Sequence, residues 1–404
     1  MKRFFNKYVE FVSQPDVGRL LLAALVSRMP VGMVGFGMLI FLRESLGNFA
    51  NAGTAVGIHL ITIAAFAPIV GRIVDRHGPR RVLYVTGVMQ PLALTGVLVT
   101  TKLGMPFPVI AACAALAGAF ASPITTLTRT MWRHRFAGEE DRRTAFALDS
   151  VTIEINFTLG PSIMAAMLAS FGATAAFALA IVTVVVAFFA FMASPALRYF
   201  KRSDGAGERH LLGPLADPRL ALIFITTFGL TVSLGLLEVG YPAYGFALAA
   251  PAMGGLLLGV NSIGSALGGA LYGGLHFRMP VERQYACAVG LMAVGLLLHA
   301  VATPLAAFFT VAFLAGGLIA PSIASQSVLV SRLAPARYAT EAFTWSSTFI
   351  VSGIGAGIAL GGFLVESQGI RPVFVVSGVV AASMAWLALA ITAPAPAQAA
   401  RAEV

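Results

Sequence analysis

The chain has 404 residues, 58% of them hydrophobic and only 11% charged, with a mean hydropathy of +0.86 and a formal net charge of +10. Soluble domains carry about 25% charged residues, so this composition excludes a water-soluble enzyme. A bilayer core about 30 Å thick takes roughly 20 apolar residues per helical crossing. Twelve crossings of about 25 residues would use some 300 and leave about 100 for short loops and two tails.

Apolar runs between charges, Gly and Pro predict spans at about 17-42, 50-71, 82-101, 107-131, 143-169, 173-194, 218-243, 251-275, 284-303, 304-330, 340-365 and 371-393. The ninth and tenth are separated on length alone, because about 45 uncharged residues are too many for one crossing. The opening, MKRFFNKYVEFVSQPDVGR, breaks at Pro15 and Asp16 before its first long apolar run, so a cleaved signal peptide is not expected. Cys113 and Cys287 both sit in apolar runs, which argues against a disulfide framework or a cysteine-ligated metal; no metal or cofactor is expected. The tail APAPAQAARAEV, which is 394-404 with the alanine before it, is expected to be disordered.

The positive charge is distributed by topology. With twelve spans, 22 of the 27 Lys and Arg fall on the side that carries both tails, 3 on the other side, and Arg28 and Arg129 within spans. The positive-inside rule then makes both termini cytoplasmic in a multi-pass protein of the cell membrane, the inner or plasma membrane. The same distribution argues against a nucleic-acid partner.

The longest polar stretch, RYFKRSDGAGERHLLGPLADPR, reads as a cytoplasmic linker at 195-217 between two bundles, 1-194 and 218-393. Sliding the chain against itself supports duplication. Gly71 meets Gly269 and Ser122-Pro123 meets Ala320-Pro321 at offset 198, while Ala145-Phe146 meets Ala342-Phe343 and Gly172 meets Gly369 at offset 197. The expected fold is therefore an all-α integral membrane protein of twelve transmembrane helices in two pseudo-symmetric six-helix bundles. Such duplication implies a substrate site near midplane at the repeat interface, worked by alternating access.

After span two the chain reads Gly71-Arg-Ile-Val-Asp75-Arg76-His-Gly78-Pro-Arg80-Arg81. This resembles the G-x-x-x-D-R-x-G-R-R signature of the major facilitator superfamily, and the duplication extends the resemblance over essentially the whole chain. It implies a secondary transporter and a cytoplasmic gate motif of Gly71, Asp75, Arg76, Gly78, Arg80 and Arg81, with Arg129 nearby. A carboxylate at a helix end accepts hydrogen bonds from a facing helix N-terminus, and the resemblance makes that helix span eleven, near Thr340. Asp75 is then expected to latch the two halves together when the cavity opens outward; an Asp75→Asn protein with unaltered transport rate would exclude this. The pieces LVSRMP, ALDSVTIEINFTLGP, LLEVGYPAYG and EAFTWSSTF further resemble a bacterial, exporter-like subgroup. Two departures argue against a multidrug antiporter of the usual kind. The span-five pattern G-x-x-x-G-P-x-x-G-G survives only as Gly160-Pro161, with Asn156 and Met164-Ala165 elsewhere, and Ala114 stands where span four would carry an arginine.

Charges inside a bilayer cost roughly 2.5 to 3.5 kcal/mol each and mark function. Arg28 and Glu154 are about ten and eleven residues into spans one and five, which predicts a pair at one depth; Arg129 and Asp149, counted as shallower, are expected to form a second, structural pair. Protonation of a buried carboxylate beside a cation is the core of proton coupling, so Glu154, Asp149 and Arg28 are the coupling candidates. The expected substrate cavity takes Arg28, Glu154, Glu238, Asn261, Gln326 and Trp345, the indole suiting a flat or cationic ligand. At aligned positions Ser346 replaces Asp149 and Val351 replaces Glu154, confining ionic coupling to the first half. His59 is a candidate proton relay and His299 a packing residue, whereas Tyr241 and Tyr244 read first as an aromatic belt.

These residues predict proton-coupled export of small amphipathic or cationic molecules by a protein expected to be monomeric, with protons, substrate and the lipid bilayer as its partners. The rival is a dedicated metabolite carrier, importing or exporting an anion with Arg28 as counter-ion. Without an H-E-x-x-H pair or a phosphate-binding loop, a membrane enzyme or ATP-driven pump is not expected.

Overall fold

In the computed structural model the described residues are 10–136, 138–200, 213–275, 277–302, 304–334 and 339–391. Among them no strand forms, and eleven helical stretches are long and apolar enough to cross a bilayer. One of these, within Glu139–Ala193, holds two crossings: Gly172 breaks it with φ +80. A side chain there would force the left-handed region at a cost of about 1–2 kcal/mol, so glycine between two apolar runs is what allows spans five and six to part.

Spans one to three are Val17–Leu46, Phe49–His77 and Pro79–Lys102, and seven to nine are Pro218–Ala247, Ala252–Gly274 and Val281–His299. Spans eleven and twelve are Ala339–Gln368 and Ile370–Ala388. Spans four and ten are each in two pieces, Phe107–Ala119 with Ile124–Arg135, and Leu305–Gly316 with Ile319–Leu333. The cause is local. Pro123 and Pro321 lack the N–H that would bond the carbonyl four residues earlier, at Ala119 and Gly317. The predicted single helices of spans four and ten are therefore corrected to broken ones: the repeat landmark Ser122-Pro123 lies in the first break, and Ala320-Pro321 lies in the first turn of the helix that follows the second break at Gly317 and Leu318.

The chain divides into two compact units, Met1–Gly207 with Tyr241–Gly259, and Glu208–Gly240 with Val260–Val404. The first takes in the junction of spans seven and eight because that junction packs on spans one, two and five. The Arg43 guanidinium lies 5.0 Å from the Phe49 ring and 5.2 Å from the Phe246 ring. A Cβ on Gly255 would stand 2.8 Å from the Pro161 carbonyl oxygen, and one on Gly259 2.7 Å from the Ser162 hydroxyl. Most of the polar linker and the tail lie outside the described residues. Tyr241 is fully buried rather than set in an interfacial belt.

Within each unit the broken span is tied on both sides of its break. His59 Nδ1 meets the Ala114 carbonyl at 3.2 Å in the first, and Asn261 Nδ2 donates to the Ala312 carbonyl at 2.9 Å in the second. A Cβ on Gly118 would collide with the His59 carbonyl oxygen, and one on Gly316 with that of Asn261. His59 and Asn261 thus do one job in two units: each seats its helix against the first piece of the broken span, which small residues let approach closely.

Candidate functional site

In the first unit spans one and five cross at glycine. A Cβ on Gly32 would lie 2.6 Å from the Asn156 carbonyl oxygen, and Gly160 packs against Gly32 in turn. The Asn156 amide donates to the Leu25 carbonyl at 3.1 Å. The surviving glycine of the span-five pattern is thus a contact point with span one, and the asparagine that departs from the pattern adds a bond across the same crossing.

One turn toward the chain termini lies a buried ion pair. Arg28 donates from both terminal nitrogens to Asp149, Nη1 to Oδ1 at 2.7 Å and Nη2 to Oδ2 at 3.1 Å, and each side chain is only 2% exposed. Nη1 also donates to the Thr152 hydroxyl at 3.1 Å, and Trp132 Nε1 to Asp149 Oδ1 at 3.1 Å. The Arg28 Nε–H is buried and has no hydrogen-bond partner among the described residues. A bidentate guanidinium–carboxylate pair is a strong and directional contact. Burial makes it costly to break, because the remaining ion is left uncompensated.

One expectation is corrected here: Asp149 meets Arg28 rather than Arg129, which is exposed. The expected contact of Arg28 with Glu154 falls on a side chain outside the described residues. The error was one of depth: helix five begins at Glu139 rather than near 143, so Asp149 is ten residues in, level with Arg28, eleven residues from Val17. Nothing in the sequence singles out Trp132, because a lone tryptophan at the basic end of a span reads as an interfacial anchor; it is fully buried.

The second unit holds neutral groups at the equivalent place. Ser346, aligned with Asp149, accepts from Gln326 Nε2 at 2.9 Å, both side chains being buried. Phe224 stacks on Phe349 with centroids 5.4 Å apart, and Trp345 approaches the same ring at 6.1 Å. Trp345 and Glu238 are half-buried. Asn261 is committed to span ten, as described, and His59 to span four. His299 packs between Phe308 and Phe374, with centroids at 4.9 and 5.1 Å, and meets the Gly295 carbonyl at 2.9 Å.

At the terminal side of the first unit, the turn between spans two and three places Gly78 at φ +82, with Pro79 opening span three. Arg76, Arg80 and Arg81 are exposed there. A cleft of about 290 Å³ lies between His77–Arg81 and Leu197 with Phe200. The side chains of Asp75 and of Thr340, opposite which it was expected, lie outside the described residues.

Two units of broken and glycine-packed apolar helices, with a buried ion pair inside the first, fit a multi-pass membrane transporter. The family model of the Major Facilitator Superfamily matches residues 20–283 and 219–403, and the chain belongs to that superfamily. Similar solved structures include a point mutant of the nucleoside transporter NupG, with TM-score 0.77 and 15% identity over 92% of this chain and 98% of that one. A second NupG structure has TM-score 0.73 and 13% identity over the same shares. A bacterial homologue of the iron transporter ferroportin in an inward-facing state has TM-score 0.73 and 16% identity over 92% of this chain and 97% of its own. At these identities the likeness is one of fold. The sequence matches no curated protein.

Proposed function

We propose that this transporter exports small amphipathic or cationic molecules across the cell membrane in exchange for protons, with both termini cytoplasmic. The bundles 1-194 and 218-393, joined by 195-217, carry out this exchange by alternating access. The observation that supports this is the buried Arg28–Asp149 pair. With Asp149 ionised, the bidentate contact ties span one to span five. A proton on Asp149 cancels the charge that holds Arg28 and loosens that tie, so the pair converts proton arrival into helix movement. Glu154 is a second proton carrier in this reading. Glu238, toward the outer end of span seven, and the face of Trp345 each supply attraction for a cation, Gln326 belongs to the same reading of the cavity, and Asp75 latches the cytoplasmic side.

The test is proton-gradient-driven uptake of a panel of cationic dyes into everted vesicles, comparing the unaltered protein with Asp149→Asn and Glu154→Gln. Uptake abolished by Asp149→Asn supports the reading; uptake that survives it at full rate removes Asp149 from coupling. A second reading is favoured by the Arg28 Nε–H, which has no partner among the described residues: an anionic metabolite docks there as a further acceptor. Transport of organic anions but of no cationic dye would select it.

A further inference from the structure

We propose that Trp132 is a positioning residue that ties the terminal-side piece of span four to the charge of Asp149, so that this piece swings about the break at 120–123 when Asp149 is neutralised. The inference rests on the proton-responsive reading of Asp149 given above.

The argument starts from what each piece of span four holds. The first piece, Phe107–Ala119, is seated on span two by His59 at Ala114 and by the bare face of Gly118. The second, Ile124–Arg135, is tied to span five by the Trp132 N–H on Asp149 Oδ1. Between them the chain is non-helical. Its loose groups are held by span three, with Ser122 N–H donating to Gln90 Oε1 at 3.2 Å and Ser122 Oγ to Thr86 Oγ1 at 3.0 Å. The second piece is also packed through Ile124, Leu127 and Met131 into the apolar core of the first unit, and the Trp132 N–H is its charge-dependent tie to span five, the contact that changes when Asp149 is neutralised.

The tie depends on charge. A hydrogen bond to a carboxylate is roughly twice as strong as one between neutral groups, and Trp132 shares Oδ1 with Arg28 Nη1. Protonation of Asp149 takes away the charge that assists both bonds at once. Arg28, from span one, is the cation that meets Asp149; Arg129 and Arg133 on span four are exposed, and the Glu154 side chain lies outside the described residues.

The second unit provides an internal control. Its broken span is seated above the break by Asn261 and tied below it by Gln326 to Ser346. Neither of those groups titrates. Two units of one design therefore carry the same pivot, and the tie responds to a proton in one of them.

The test places spin labels at Arg133→Cys and Val85→Cys, both exposed positions in spans four and three, in a full-length background with Cys113→Ser and Cys287→Ser, and follows their separation in lipid nanodiscs from neutral to acid pH. The expected result is a distance that titrates, is fixed at its acid value by Asp149→Asn, and no longer follows pH in Trp132→Phe. A Trp132→Phe protein that titrates with the amplitude and midpoint of its parent overturns the role of Trp132 and leaves Asp149 standing. A distance that ignores pH in the parent, or still titrates in Asp149→Asn, overturns the reading of Asp149 itself. Should Trp132→Phe not fold, Trp345→Phe with Trp386→Phe leaves Trp132 as the sole indole. Its emission is expected to titrate with the label distance and to be flat in Asp149→Asn, and emission indifferent to pH refutes the tie.

Discussion

Asp149→Asn isolates the energetics of the buried pair. The substitution keeps the size of the side chain and an oxygen for the Trp132 N–H, but leaves the Arg28 cation 2% exposed with no counter-charge in contact among the described residues. Breaking a buried pair from one side costs about 3–5 kcal/mol, because the surviving charge stays desolvated. Arg28→Met does the same from the other side, stranding the carboxylate. Removing both charges is different: a buried pair replaced by neutral groups of similar volume is often neutral in stability. The double variant Arg28→Met/Asp149→Asn is therefore expected within about 2 kcal/mol of the parent, and the coupling energy of the cycle is about 3 kcal/mol or more. Reversible unfolding of the purified protein in mixed micelles measures all four corners. Additive single effects, with the double variant the least stable of all, would refute the claim that these two side chains hold one another. The double variant also separates stability from function: it is expected to fold and yet to lose any response of transport to the proton gradient.

Other predictions follow from the packing. Gly268→Ala drives a methyl into the Gly317 carbonyl and is expected to cost about 1–3 kcal/mol, whereas Gly273→Ala, with nothing within 4 Å, is expected to be neutral; thermal stability of the two proteins side by side decides it. His59→Asn is expected to keep the stability of the parent, because Asn261 makes the same contact in the second unit, while His59→Leu loses about 0.5–1.5 kcal/mol. Equal losses in the two would break the proposed equivalence. Arg43→Met removes the cation between Phe49 and Phe246, a contact of about 1–2 kcal/mol. A cysteine at Ala52, fully buried at the start of span two, should then react about tenfold faster with a membrane-impermeant maleimide. An unaltered rate would mean that this cluster does not hold that end closed.

The fold was legible in the sequence because a bilayer enforces it: each crossing needs its run of apolar residues, and each return needs a break. Gly172 marks the turn between spans five and six at the point where the apolar runs part, and the signature from Gly71 to Arg81 falls on the turn between spans two and three. The site was legible only as composition. Arg28 and Asp149 were both recognised as buried charges but assigned to other partners. Beginning span five about four residues late misplaces a side chain by about 6 Å along the helix axis, enough to exchange one partner for another. Pairing in a membrane therefore demands helix ends, and the helix start at Glu139 lies in a charged stretch, Glu139 to Arg143, that an apolar run does not mark.

The equivalence of His59 and Asn261 was hidden for a related reason. The repeat aligns at an offset of 198 over spans two to four, which pairs Asn261 with Ile63. In space Asn261 takes the part of His59, four residues away, close to one helical turn. A slip of one turn keeps a side chain on the same face of its helix, so packing and the carbonyl contact survive while the sequence register does not. Symmetry in this chain is conserved as geometry, with histidine and asparagine interchangeable where the need is a polar group on a main-chain oxygen. The symmetry is broken in chemistry where Asp149 faces Arg28 and Ser346 faces Gln326. That asymmetry sets a carboxylate in the first unit where the second has a hydroxyl, and it is the difference on which the proposed proton response rests.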